Sequence, residues 1–529
     1  MSDAEVIVVG GGHNGLICAA YLARAGVDTL LLEARTDVGG CASTVADLGA
    51  RFNICHCDHT MIRALPIVDE LDLGHHGLEY LEPSAAAIYA FHDRSDPWVL
   101  FHDPDRTVDA LAASHPGQVA AYRRYLADAL PVAELVLDLV RTRPTGPRLV
   151  ASVLRRRAAG ANRLWGWGRR SAAEVLGRYF DDWHLVMPAV STGPTVWGLP
   201  ADTPGTGLAA LSYATRHLVR GGRPRGGSGL LTDATRASFE AAGGVVRCGA
   251  TVTSLVVDDG AVRGVRLDDG TEMRAATVVA ACDPQRVLVD WIDEPPAAAR
   301  ALVERWRQTP VRQGYESKVD AVVTGAPARL AGLDAVEARL GGIDLSEPTT
   351  FVSPSPTEVA EAHRLRPEGR VADRPTLLVN SPSALDPTMR PGLDRHVVSL
   401  EALFTPYSLT GGWPGSGEPA RWLSVWGELA EPGFEASIER WRVMTPDRYE
   451  REFAMHRGHT PSYGGSPLAT LVGRRPELSR YRTPIDGLHL TGAGTFPGAG
   501  IFGASGRNAA AVVIERVRGS SRRRWSGGR

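Results

Sequence analysis

The sequence predicts an α/β protein, with a Rossmann-like nucleotide domain joined to an α+β domain that has a mixed sheet and a helical cap. Three observations lead there. Residues 5–44 hold an apolar run, a glycine-rich turn, a helical pattern and a second apolar run. Residues 487–508 hold another apolar run that enters a glycine-rich loop and then an Ala/Val-rich helical pattern. Between these lie short alternating strands and one long arginine-rich stretch of helical periodicity.

In the first unit, the short run at residues 5–9, apolar after Glu5, meets Gly10-x-Gly12-x-x-Gly15. A helical pattern runs to about Ala25, Gly26 stops it, and residues 27–32 form the second apolar run, closed by Glu33. Gly10 permits the tight turn, Gly12 lets the backbone approach a pyrophosphate, and Gly15 lets the helix lie against the sheet. The helix starts at His13 and Asn14, where unpaired N–H groups and a partial positive charge face the phosphates. Glu33 is placed to accept hydrogen bonds from ribose hydroxyls, and its charge disfavours the 2′-phosphate of NADP. The unit alone serves FAD or NAD equally.

At 529 residues the chain predicts roughly two or three domains. A net charge of −2 gives no general attraction to nucleic acid. No CxxC pair occurs among Cys18, Cys41, Cys55, Cys57, Cys248 and Cys282, which excludes a thioredoxin-like centre and the disulfide reductases. No apolar run reaches the ~18 residues of a membrane span, and the first strand starts too near Met1 for a signal peptide, so a cytoplasmic protein is expected.

Residues 53–59 read Asn-Ile-Cys-His-Cys-Asp-His. On a strand Cys55, Cys57 and His59 stand in a line and do not converge, so no metal centre is expected. Residues 78–101 read as short strands, and 107–187 as helices. The helical stretch carries Arg141, Arg143, Arg148, Arg155, Arg156, Arg157, Arg163, Arg169 and Arg170 with Trp165 and Trp167. Such a pattern fits a peripheral membrane contact or a solvated helical cap. The 221–229 stretch (GGRPRGGSG) breaks the chain; a helix follows, then a β-meander with Asp-Asp-Gly turns up to Ala281. Strands are expected at 317–323, 376–379 and 396–403, a helix at 433–444, and a disordered tail at 520–529.

The second glycine-rich unit runs Gly487-Leu-His-Leu-Thr-Gly492-Ala-Gly494-Thr-Phe-Pro497-Gly-Ala-Gly500-Ile-Phe-Gly503-Ala-Ser-Gly506-Arg507-Asn508. It aims backbone N–H groups at an anionic atom. The span Glu33-x-Arg35-x-x-x-Gly39-Gly40 resembles the extended signature of FAD-dependent oxidoreductases of the glutathione reductase/amine oxidase type. With GGGHNGL and TGAGTFPGAGIFGASGRNAA, the chain resembles the phytoene-desaturase-like flavoproteins, in the branch typified by pyridine nucleotide-disulphide oxidoreductase domain-containing protein 2.

That resemblance implies non-covalent FAD in a discontinuous FAD-binding domain (1–75, 221–290 and 476–519) and a substrate-binding domain (76–220 and 291–475). It implies that Ala34, Arg35, Gly39, Gly40, Cys41 and Ala42 run beside the pyrophosphate and ribityl chain, and that the Val252 backbone meets adenine. Gly494 and Thr495 would lie at the pyrophosphate, and Gly503 and Ala504 at the flavin O2 edge. Phe496 stands where the family pattern often has histidine, so chemistry that needs that histidine does not transfer. Lys318 resembles the lysine by which amine-oxidase relatives hold a water at flavin N5. The alternative is a charged strand face shared with Glu316 and Asp320. His56 and His59 are candidate acid–base groups near the flavin, with a structural role as the alternative.

The implied activity is hydride transfer from a C–H bond to flavin N5, desaturating or dehydrogenating an apolar or natural-product small molecule. The alternatives are a flavin amine oxidase using O2, a redox-neutral isomerase using reduced FAD, and an interaction protein without catalysis. No second strand-to-helix GxGxxG unit occurs, so O2 or a quinone is the expected electron acceptor.

Overall fold

The computed structural model describes residues 2–141, 151, 154, 160–192, 198–461 and 475–526. The arginines at 143, 148, 155, 156 and 157 lie outside the described residues.

Val6–Val9 and Thr29–Leu32 are buried along their whole length, as expected of parallel strands covered on both faces. They pair in parallel, and the sheet grows on both sides. The order is Leu488–Leu490, Thr277–Ala280, Val6–Val9, Thr29–Leu32, Val245–Arg247. Three distant stretches of chain therefore build one parallel sheet. Val6, Val8 and Leu31 face one core, and Ile7, Val9, Leu30 and Leu32 the other, the two-residue alternation of a strand. The His13–Arg24 helix covers the first face and is itself flanked by Gly229–Ala241 and Ala504–Ser526. Gly506 makes that last approach possible, because a Cβ there would collide with the Asn14 carbonyl. The meander forms its own antiparallel sheet from Val252–Asp258, Ala261–Leu267 and Glu272–Arg274.

A seven-stranded mixed sheet forms the second half, in the order Ile438–Met444, Tyr315–Thr324, Arg395–Thr405, Leu377–Asn380, Thr350–Ser353, Ala87–Phe91, Trp98–Leu100. Helices including Val119–Val140 and Ala161–Gly168 pack over one end of it. Their shared core is aromatic, with Trp98 set edge-on to Tyr213 at 5.4 Å between ring centroids.

Two expectations are corrected. The 433–444 helix stops after Phe434–Ser437, and Ile438–Met444 is an edge strand on Tyr315–Thr324. Ile, Trp and Val suit a strand, and the open sheet edge supplies hydrogen bonds that an isolated helix of mixed polarity cannot match. The tail expected at 520–529 continues as helix to Ser526, because the Ala/Val-rich start nucleates a helix that arginines readily propagate.

The described arginines of the cap find local partners. Arg163 pairs with Asp128 at 2.6 Å, Arg141 with Asp138 at 3.6 Å, and Arg170 with the Gly166 carbonyl. Trp167 is buried, while Trp165 is exposed beneath Arg169. No helix among the described residues is long and apolar enough to cross a membrane.

Candidate functional site: a nucleotide cleft and an apolar cavity meeting at one loop

The end of the parallel sheet opens into a cleft. Of the residues singled out in the sequence, Gly10, Gly12, His13, Asn14, Gly15, Glu33, Ala34, Gly40, Cys41, Val252 and Gly494 line it. Gly10 holds φ +103°, which only glycine adopts easily. A Cβ on Gly15 would collide with the Gly10 carbonyl, so this glycine sets the distance between helix and strand. A Cβ on Gly12 would meet nothing within 4 Å, because that space belongs to the cleft. Glu33 is held from behind: Gly11 N–H donates to Oε2 at 2.6 Å and Arg35 N–H to Oε1 at 2.9 Å. The Asn14 amide has one end on His13 Nε2 at 2.9 Å and the other buried without a partner. An open backbone cradle at a helix N-terminus and a fixed carboxylate together fit a dinucleotide pyrophosphate and ribose.

The other expected cofactor residues sit one step back. Arg35 lies over the Phe453 ring at 4.2 Å and donates to Ser43. Gly39 N–H bonds the Gly11 carbonyl, and Ala42 is buried behind the turn. Thr495 is spent inside the closing loop, where its hydroxyl meets Gly492 O and Ser505 Oγ at 2.9 and 2.8 Å. Gly503 and Ala504 pack into the core, and a Cβ on Gly503 would press on Ile17 and Ile67. Sequence reasoning missed Trp291, Arg286, Phe453, Met455 and His456, which complete the cleft from remote segments without a motif.

The three candidate catalytic residues do not line the cleft. Lys318 is buried, and its Nζ donates to the Asn53 carbonyl and to Asp320 Oδ1, the latter at 2.6 Å. Glu316 and Asp320 are buried too, so the charged strand face is an internal seam and not a surface. The 53–59 segment lies over that seam. His56 sits between Asp58, at 3.0 Å, and Glu401, at 3.5 Å. Burial would lower its pKa, but these two carboxylates raise it well above 6.5. Burial, and then Glu401, push Glu316 up to about 8. His59 is fully buried and satisfied on both ring nitrogens, by Tyr80 and Ser228, each at 3.1 Å.

Cys55, Cys57 and His59 go to separate partners: Cys55 to the Cys41 thiol, Cys57 to Asn380. One group of metal-type ligands does converge among the described residues, His115, Asp182 and His184. Carboxylates of Asp182 and Asp93 already engage both His184 ring nitrogens, at 2.6 and 3.1 Å, which satisfies that ring without a metal.

Beyond the loop that closes the cleft lies a second cavity. Val136, Leu139, Val140, Leu164, Leu208 and Leu211 line one side, and Phe496, Pro497, Ile501 and Phe502 the other. Its charged residues are Asp58 and Arg216. Gly492 to Gly494 face the nucleotide cleft and Phe496 to Phe502 face this cavity, so a single loop lines both.

The buried histidines make the fold acid-sensitive. Burial lowers His59 to about 3 and His489 to about 4 from 6.5. Below that ordinary value the unfolded chain takes up protons that the folded chain refuses. Stability is therefore expected to fall from about pH 6.5 towards pH 4, by about 1.4 kcal/mol per pH unit for each such histidine. His56 acts oppositely: its raised pKa contributes fully in acid, and that contribution is lost as pH rises through the raised value. Urea midpoints at about pH 7, 6 and 5 check the net sign; a midpoint that rises in acid would contradict it.

Residues 8–66 match the NAD(P)-binding Rossmann-like domain family. The chain is 30% identical to the rat (Rattus norvegicus) pyridine nucleotide-disulfide oxidoreductase domain-containing protein 2, over 98% of this chain and 94% of the relative. It is 25% identical to the lycopene-forming phytoene desaturase of Pantoea ananas, over 94% of this chain and 96% of the relative. The solved structure of a redesigned putrescine oxidase shares the fold at a TM-score of 0.61 and 17% identity, covering 97% of this chain and 99% of that one. The molecule is thus an oxidoreductase built on a Rossmann-like α/β fold.

Proposed function

The chain belongs to the family of pyridine nucleotide-disulfide oxidoreductase domain-containing protein 2, and from that premise we propose that it binds FAD non-covalently in the cleft and dehydrogenates an apolar small molecule in the adjoining cavity. The observation that carries this reading is the loop lining both spaces, which sets an apolar ligand against the cofactor site. FAD, when bound, supplies a hydride acceptor. The chain's own residues hold and orient. The backbone at Gly12, His13 and Asn14 would take the pyrophosphate, and Glu33 a ribose. The Val252 and Trp291 end would take adenine. The leucines and valines of the helical cap exclude water and fix the pose of a C–H bond.

Lys318, His56 and His59 enter this proposal as supports of the 53–59 segment. Asp58, the carboxylate on the cavity wall, is held well below the usual range despite its burial, by Arg223 and His56, and makes a weak base. The acceptor for the electrons is O2 or a quinone. Amine oxidation is the alternative activity, and the Arg216 cation on the wall disfavours it for a charged amine. The division of the chain at 75, 220, 290 and 475 belongs to the same proposal.

The test is optical. Purified protein reconstituted with FAD is expected to show the absorption bands of oxidised flavin, and these should bleach anaerobically with an apolar substrate bearing an activated C–H bond. A protein that retains no flavin overturns the cofactor. Retained flavin that only amines bleach overturns the substrate class.

A further inference from the structure

The apolar cavity carries, on one helix, a guanidinium without a carboxylate partner and a hydroxyl without a hydrogen bond. Arg216 and Ser212 lie four residues apart on Ser212–Leu218, a spacing that sets side chains on the same face, and both line the cavity. Arg216 donates one N–H, from Nη1, to the Ala86 carbonyl at 3.0 Å, and its guanidinium lies over the Phe351 ring at 5.3 Å. No carboxylate among the described residues comes within ion-pair distance of it. Ser212 Oγ is buried without a hydrogen-bond partner.

Asp58, across the same cavity, offers nothing to either. Its Oδ1 takes Arg223 Nε at 2.6 Å, and its Oδ2 takes Thr349 Oγ1 at 2.6 Å and meets His56 Nε2 at 3.0 Å. The wall therefore keeps one guanidinium without a carboxylate partner and one idle hydroxyl beside a largely apolar space. A buried hydroxyl without a hydrogen bond is unfavourable, and a ligand that pairs it together with the guanidinium relieves that cost.

We propose that the substrate is amphipathic: an apolar body lies among Leu139, Val140 and Leu164, and its carboxylate is taken by the Arg216 guanidinium and the Ser212 hydroxyl. Guanidinium suits this because its planar fork matches a carboxylate. The inference rests on the reading of the cavity as the substrate site, and it separates this chain's ligand from a pure hydrocarbon and from a cationic amine.

Binding to the FAD-loaded protein tests it without turnover, by calorimetric titration with dodecanoate and with dodecanol. Dodecanoate is expected to bind about ten-fold or more tightly than the alcohol. Arg216→Leu and Arg216→Gln should bring dodecanoate down to the level of the alcohol and leave the alcohol unchanged. Arg216→Lys should recover part of the difference, and Ser212→Ala should lose a few-fold. Equal binding of the two probes to the wild type overturns the proposal, as does undiminished dodecanoate binding by whichever Arg216 variant folds. If neither probe binds while the flavin bands are present, the cavity is not the substrate site and this inference falls with that reading. Leu139→Trp, which fills the apolar part, should weaken both probes together; if it weakens neither, the location is wrong.

Discussion

Gly12→Val is expected to give a folded protein without its cofactor, and Gly15→Val a protein that fails to fold. The two glycines stand one turn apart in the same motif, but their surroundings differ. Gly12 has φ −69° and ψ 169°, a conformation valine adopts readily, and its Cβ would meet nothing within 4 Å. The methyl groups would enter the space where the backbone N–H groups must meet a pyrophosphate. Each charge-assisted hydrogen bond lost is worth roughly 1.5–3 kcal/mol, so losing two raises Kd by about a hundred-fold or more. The variant should purify colourless and melt where flavin-free wild type melts, since only the ligand's share of stability is gone. Flavin content equal to that of the wild type would show that the cleft holds something else. In Gly15→Val the new Cβ collides with a backbone carbonyl, not with empty space, and it also presses on Ala281. The His13–Arg24 helix would have to leave a sheet whose strands are fully buried. A loss of about 4–5 kcal/mol or more is expected, among the largest for a single substitution. A Gly15→Val protein with the wild-type melting temperature would refute the close-packing argument.

The sequence made this half of the cleft legible because its code is local. Gly10, Gly12, Gly15 and Glu33 each answer a steric or hydrogen-bonding demand within one strand–turn–helix–strand unit, and spacing alone expresses those demands. Trp291, Arg286, Phe453 and Met455 complete the same cleft and were invisible, because only the path of the folded chain brings them there. Burial was the other blind spot. Alternation placed Glu316, Lys318 and Asp320 on one face of a strand, and the same alternation describes a solvated face or an internal seam. What decides between them is the 53–59 segment lying across the strand, a tertiary contact with no signature in either stretch. Ile438–Met444 failed for a related reason: an open sheet edge, not local propensity, makes it a strand. A histidine among polar neighbours has the sequence of a candidate for chemistry, but Tyr80 and Ser228 occupy both nitrogens of His59.

Lys318→Met is expected to cost stability first and chemistry second. Lys318 and Asp320 are each 1% exposed and 2.6 Å apart, and the ammonium also ties the seam to the Asn53 carbonyl. Removing the cation leaves the Asp320 carboxylate with Arg442, whose Nε is 3.9 Å away, as its remaining cation, beside the Ser399 hydroxyl. Breaking one side of a buried ion pair typically costs about 3–5 kcal/mol, because the remaining charge stays desolvated. Lys318→Met/Asp320→Leu, which leaves neither charge, is expected to recover most of that loss, and the double-mutant cycle measures the coupling. The pH dependence gives a second check. Burial already raises the Asp320 pKa, with Lys318 and Arg442 opposing it. Without Lys318 it rises further, so the folded variant binds a proton that the unfolded chain releases. Its deficit relative to the wild type should therefore shrink as pH falls and grow as pH rises. A lysine that served the flavin directly would behave otherwise: Lys318→Met would keep the wild-type melting temperature and slow reoxidation by O2 alone. Melting curves at two pH values and the reoxidation rate, measured on the same preparation, decide between a residue that braces the seam and one that does chemistry.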